Sequence, residues 1–208
     1  MICEVLGLPD EDRAKFKQWF GGFANMKSLL RLLLKLLPGL RKTTKYLSRQ
    51  FEQVRQEPRA GLITALVQAE QAGDRLSEDE LLSMAMLLLL AGHETTVHLI
   101  SNSILTVLQR PEVRRKLLED PSQVESAVEE ILRYHSPAQI AKPRFATEDV
   151  EFHGQHLKRG DAVLPVLASA NCDPERFENP AEFKIDRAQN FHLTFGSGPH
   201  VCHFGAPT

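Results

Sequence analysis

Cys202 lies near the chain end in the run Phe195-Gly196-Ser197-Gly198-Pro199-His200-Val201-Cys202, the stretch with the most evident capacity for chemistry. Gly196 and Gly198 allow a tight turn and a close approach by a ligand, since glycine reaches backbone angles closed to other residues and has no side chain to hold a ligand off. Phe195 and Val201 supply apolar cover. Such a cysteine is either a buried structural thiol or a thiolate ligand for a soft or borderline metal. A second candidate is His93-Glu94-Thr95-Thr96, a polar run immediately after the apolar stretch Met84 to Gly92. Polar groups among apolar ones need partners, so the run is either a solvated patch or kink, or a functional site. Gly92 leaves room for a flat ligand against the backbone, and Thr95 or Thr96 can bond back to a carbonyl and bend a helix. Glu130 and Arg133, three apart, read by periodicity as an exposed ion pair opposite the apolar face Val124, Ala127, Val128 and Ile131.

The elements that must carry these residues are mostly helical. Pro9-Asp10-Glu11-Asp12 opens a helix with acids in its first turn, and Phe16, Trp19 and Phe20 follow at helical spacing. Met26 to Leu37 holds seven leucines with Lys27, Arg31 and Lys35 four apart, and the reading ends this helix at Pro38-Gly39. It reads as a core or lid helix, or one lying on a membrane surface. Arg41 to Gln56 reads as a charged, solvated helix, and Gly61 to Gly73 as one with Leu62, Leu66 and Ala69 on a common face. Ser77-Glu78-Asp79-Glu80 is a capping box for a helix that nothing obliges to stop before Pro111. At about 1.5 Å per residue such a helix is about 48 Å long, enough to cross a domain. Its uninterrupted apolar run is too short to span a bilayer, so it is expected to be a central core helix. Short helices follow from Pro111 and Pro121. Beyond Pro137 the period changes, and Arg144-Phe145-Ala146, Val150-Glu151-Phe152 and Ala162-Val163-Leu164 read as a small β-sheet between glycine turns.

The chain has 208 residues, 42% of them hydrophobic and 25% charged, enough for one domain's core. A net charge of -2 gives no basic footprint for nucleic acid. Cys3, Cys172 and Cys202 are too scattered for a disulfide framework, which favours a reducing cytoplasm. No secretory signal or transmembrane segment is read.

Four stretches in order, Ala91-Gly92-His93-Glu94-Thr95-Thr96, Glu130-Ile131-Leu132-Arg133, Asp173-Pro174-Glu175-Arg176-Phe177 and the cysteine loop, resemble the marks of the cytochrome P-450 family of haem-thiolate monooxygenases, in its soluble bacterial form. The resemblance implies a mainly α fold with a small β-sheet, built around a long central helix. It divides the chain into roof helices (1–75), the long central helix (77–110), the Glu-x-x-Arg helix (121–135), the small sheet (138–168), and a meander with the cysteine loop (171–208). It implies haem b as cofactor, with Cys202 as the axial ligand of the iron. Gly92, Phe195 and Gly198 would then line the cofactor, and Arg144 and His200 would meet its propionates. Glu94 and Thr95 match the acid and alcohol that relay protons to dioxygen. Glu130 and Arg133 become members of a buried charge network with Arg176 as the third. The implied function is insertion of one oxygen atom of dioxygen into an apolar small molecule. Electrons would come from a ferredoxin or flavodoxin-type donor and ultimately from NAD(P)H, in the bacterial cytoplasm.

Two departures accompany the resemblance. Family members carry a longer N-terminal portion and a helix after the cysteine, so the chain reads as a fragment. The run Cys202-His203-Phe204-Gly205 places one residue too many before the glycine. The alternative expectation is therefore a non-catalytic remnant without stable haem, at most a helical interaction domain. A small metal site from His200, Cys202 and His203 is a weaker third reading, since the spacing suits no common zinc pattern.

Overall fold

The computed structural model describes residues 2–20, 29–71 and 77–202. The calls on Met26 to Ser28, on Gly73, and on His203 to Gly205 lie outside the described residues, as do those on the leucine side chains up to Leu36. The chain divides into two compact units, Met1–His93 and Glu94–Thr208.

The first unit holds helices α1 (Ile2–Leu6), α2 (Arg13–Phe20), α3 (Leu29–Gln56) and α4 (Leu62–Gln71), and the start of α5 (Glu78–Leu108). The expected break at Pro38-Gly39 is absent, because α3 runs straight through it. An internal proline costs the helix a hydrogen bond, and Pro38 stands on the exposed side of α3. Gly39 serves a different purpose from a stop. A Cβ there would lie 2.5 Å from the Trp19 carbonyl oxygen, so glycine is what lets α2 press against α3. One turn on, the buried Thr43 hydroxyl donates to the Gly39 carbonyl at 3.0 Å.

The charged half of α3 is not solvated as its composition suggested. Leu47, Phe51 and Val54 are buried at i, i+4 and i+7 and form one core with Leu6, Phe16, Ile63, Val67, Leu81, Ala85 and Leu89. The apolar stripe is narrow, and Arg, Lys and Gln on the remaining faces dominate the average. The inward face of α4 is likewise Ile63, Thr64 and Val67, with Leu62 and Leu66 only partly buried. Near the start of α2 the Tyr46 hydroxyl donates to Asp12 at 2.6 Å, and Phe16, Trp19 and Tyr46 stack edge to face.

The capping box forms as read. The Ser77 amide and hydroxyl both donate to Glu80 Oε2 at 2.8 Å, and the Glu80 amide returns a 3.4 Å bond to Ser77 Oγ. These bonds, the backbone one first, hold the Glu80 carboxyl below the usual carboxylate range. From this cap α5 runs 31 residues to Leu108. Leu81, Ala85 and Leu89 seat it in the first unit, but Leu87, Val97, Ile100, Ile104, Leu105 and Leu108 are exposed. By length and composition alone α5 is also sufficient to cross a membrane, contrary to the reading of a span too short to do so.

The second unit contains the rest of α5, then α6 (Pro111–Glu119), α7 (Val124–Tyr134) and the short α8 (Leu167–Ala170). In place of one small sheet there are, among the described residues, two separate antiparallel ladders. β1 (Arg144–Phe145) pairs with β4 (Ala162–Val163), and β2 (Val150–Phe152) pairs with β3 (Gln155–Leu157) across the tight turn at His153-Gly154. Val113, Ala127 and Ile185 form the unit's small apolar cluster, bordered by Leu117 and Phe183.

Candidate functional site

The site is built from α7 outwards. The Arg133 guanidinium donates to Glu130 through Nε and Nη2, both at 2.8 Å, and both side chains are fully buried. The exposed ion pair expected from periodicity is thus the best-buried feature of the unit, while Val124 and Val128, expected to face inward, are largely exposed. Charge satisfaction explains the reversal. Arg133 also donates to the carbonyls of Asn171 (2.8 Å), Pro180 (3.0 Å) and Glu182 (3.2 Å), so every direction of its fork meets an acceptor. Phe177 covers the guanidinium, its ring centroid 5.2 Å away.

Glu130 gathers still more partners. Arg187 donates to it from Nε at 3.1 Å and Nη2 at 3.3 Å, the Lys184 amide at 3.0 Å, and Asn190 Nδ2 at 3.2 Å. The third charge of the network is therefore Arg187, and the expected Arg176 is a correction: it is exposed, and its side chain makes no hydrogen bond to a described residue. The reason lies in the turn between them. Arg187 also donates to the carbonyls of Glu178 (2.7 Å) and Glu182 (3.0 Å), so the segment 178–187 folds back and brings it, rather than Arg176, onto α7. Burial pushes the Glu130 carboxyl up, but the bonds from Arg133, Arg187 and Lys184 outweigh it and hold the group below the usual carboxylate range.

From this anchor the chain passes to the cysteine loop. Asn171 is fully buried at the end of α8, its Nδ2 donating to Thr194 Oγ1 (3.0 Å) and its Oδ1 accepting from the Leu193 amide (2.7 Å). The Thr194 hydroxyl donates onward to the Leu132 carbonyl of α7 at 2.7 Å. His192, for which the sequence offered no role, places Nε2 3.0 Å from Glu129 Oε2 while its Nδ1 accepts from the Thr194 amide at 3.3 Å. None of Arg187, Asn171, Thr194 or His192 was found by sequence reasoning. Each sits in irregular chain, where no periodicity marks the inward side.

The loop itself closes with backbone bonds. The Gly196 amide donates to the Leu193 carbonyl (2.9 Å), Val201 to Gly198 (3.0 Å), and Cys202 to Phe195 (2.8 Å). Gly196 and Gly198 stand at φ 76° and 75°, which glycine alone adopts without strain. Phe195 is half-buried, while His200 and Cys202 are exposed. The expected apolar shielding of the thiol is thus not formed among the described residues, and the Phe195 ring lies 6.0 Å from that of His192. Elsewhere in this unit Arg144 is exposed on β1, opposite Val163. Glu94 is exposed on α5, 3.7 Å from His98 one turn on, and Thr95 beside it is exposed too. Gly92 belongs to the first unit and is half-buried. Cys172 is exposed and Cys3 buried.

The cytochrome P450 family model matches residues 13–203. The chain belongs to the cytochrome P450 family. As a cytochrome P450 it is 41% identical over 207 residues to CYP107DY1 of Priestia megaterium, covering all of this chain and 50% of that protein. It is also 41% identical over 208 residues to vitamin D(3) 25-hydroxylase of Pseudonocardia autotrophica, across 97% of this chain and 49% of that one. The myxobacterial cytochrome P450 CYP267B1, solved in complex with myristic acid, superposes with a TM-score of 0.88 at 42% identity over 97% of this chain and 50% of its own. The mainly helical architecture with small sheets is thus the cytochrome P450 fold, and the chain spans about half the length of the curated relatives it matches.

Cytochromes P450 are haem proteins, and the donor chemistry of the loop suits that group. Among the described residues no cluster of three or more His, Cys, Asp or Glu could hold a bare metal ion. A thiol without neighbouring ligands among the described residues would suit a metal whose other ligands come from a macrocycle. Where a Cβ on Gly198 would stand there is nothing within 4 Å, which leaves the loop open to a flat ligand.

Proposed function

We propose that this chain is the part of a haem-thiolate monooxygenase that presents the axial thiolate and the proton relay. Cys202 would hold the iron of haem b, and Phe195 and Gly198 on the same loop would flank the cofactor. Arg144 and His200 would offer cationic or hydrogen-bonding groups to its carboxylates. When bound, haem supplies the activation of dioxygen. Glu94 exchanges a proton with water at its exposed carboxyl, and the Thr95 hydroxyl carries one towards the site. The substrate is an apolar small molecule, a class consistent with the myristic acid in the CYP267B1 structure. Electrons come from a ferredoxin or flavodoxin-type partner and originally from NAD(P)H, in the cytoplasm.

The observation that carries this reading is the bracing of the glycine loop that presents the exposed Cys202 thiol, which traces back to the buried Glu130–Arg133 pair. The test is a haem titration of the chain followed by absorbance. Uptake in equal amount to protein, lost on Cys202→Ala, is expected. Uptake indifferent to Cys202 would overturn the assignment.

A further inference from the structure

We propose that Asn171 and Thr194 form a clasp that transmits the position of α7 to the cysteine loop, making both positioning residues for Cys202. The functional meaning of the clasp rests on the reading of Cys202 as a thiolate ligand. The path is continuous. Arg133, fixed by Glu130, donates to the Asn171 carbonyl, and the Asn171 amide then engages Leu193 and Thr194 with its two ends. Thr194 ties back to the Leu132 carbonyl, Leu193 accepts from the Gly196 amide, and Phe195 accepts from the Cys202 amide. Four adjacent residues, Leu193 to Gly196, are therefore held from both sides, and the last bond of the series is to the cysteine itself.

The residue types follow from the geometry. Position 171 must donate from one atom and accept at a second, which a short carboxamide does and a single hydroxyl oxygen does not. Position 194 must accept from Asn171 and donate to a carbonyl, which a hydroxyl does and an isosteric valine does not. Both side chains are buried, so a lost partner is not replaced by water. Groups that orient a metal ligand from behind set its direction, and Thr194 is the last side chain to bond in this series before the backbone bond to Cys202.

Amide hydrogen exchange on the full, haem-free 208-residue chain tests the clasp. Thr194→Val and Asn171→Ala are expected to speed exchange at Gly196 and Cys202 by roughly tenfold, because protection falls with the local opening free energy that buried bonds sustain. Thr194→Ser keeps the hydroxyl and should return those amides to the parent rate. Amides of Leu47 and Phe51, in the first unit's core, should keep parent rates throughout. Unchanged loop amides in Thr194→Val, or an equal rise across the whole chain, would overturn the proposal, and the Thr194 pair decides it even if Asn171→Ala does not fold.

A second reading is spectroscopic. In the haem-loaded chain the thiolate-type share of the reduced carbon monoxide spectrum should fall in Thr194→Val and recover in Thr194→Ser. A loosened loop with a parent-like spectrum would overturn the positioning role. A clasp seen by exchange in a chain that gives no thiolate-type spectrum would instead refute the proposed function and leave the clasp standing.

Discussion

Glu130 is the residue with most at stake, since one carboxylate accepts from two arginines, a backbone amide and an asparagine, with no exposure to water. Glu130→Gln would leave Arg133 and Arg187 buried without a counter-charge, and a loss of about 3–5 kcal/mol in urea unfolding is expected. The network also separates the two arginine candidates. Arg187→Ala should destabilise severely, whereas Arg176→Ala, at an exposed side chain, should stay within about 0.5 kcal/mol of the parent. Because the folded carboxyl is held below its unfolded value, the unfolded state binds the extra proton first. Glu130's contribution is therefore complete above roughly pH 4.3, the ordinary glutamate value, and is lost as pH falls through the lower folded value. Stability of the parent should fall more steeply in that acid window than that of Glu130→Gln. The Glu-x-x-Arg spacing was legible in the sequence because both residues share one helix. Arg187 was not, because it stands 57 positions from Glu130 in a stretch without periodicity.

At the scale of elements, sequence signals were most faithful where the chemistry is local. The Ser77 box and the helix behind it came out as read, because a cap satisfies its own backbone within one turn. The Pro38-Gly39 signal was misleading because its purpose is tertiary: the glycine admits the backbone of α2, which no local rule records. This gives a test in which two effects oppose. Helix propensity alone predicts that Gly39→Ala stabilises by about 1 kcal/mol. A methyl 2.5 Å from the Trp19 carbonyl predicts the reverse, and overpacking of about 1–3 kcal/mol should win in thermal or urea unfolding. The solvated reading of the second half of α3 failed for a related reason. Three buried apolar residues at helical spacing suffice to seat a helix whose other faces are largely charged.

For the whole molecule, the central-helix expectation is met in length but only partly in burial. Relatives about twice as long share this fold, and in this chain the side of α5 carrying Val97, Ile100, Ile104 and Leu108 is exposed. Such a surface should bind a hydrophobic dye, and replacing Ile104 and Leu108 together by Gln should reduce dye fluorescence while leaving urea stability within about 0.5 kcal/mol per site. The family was legible because each of its four motifs is a short contiguous run of residues. The bracing of the cysteine loop was not, since its bonds join α7, α8 and an irregular loop through backbone carbonyls that any residue type would supply. The most direct measurement is the reduced carbon monoxide spectrum of the haem-loaded chain beside Cys202→His. A thiolate-type band in the parent, replaced by an imidazole-type band in the variant, is the predicted result. The same band in both, or an imidazole-type band in the parent, would contradict the claim that Cys202 is the residue this fold is built to present.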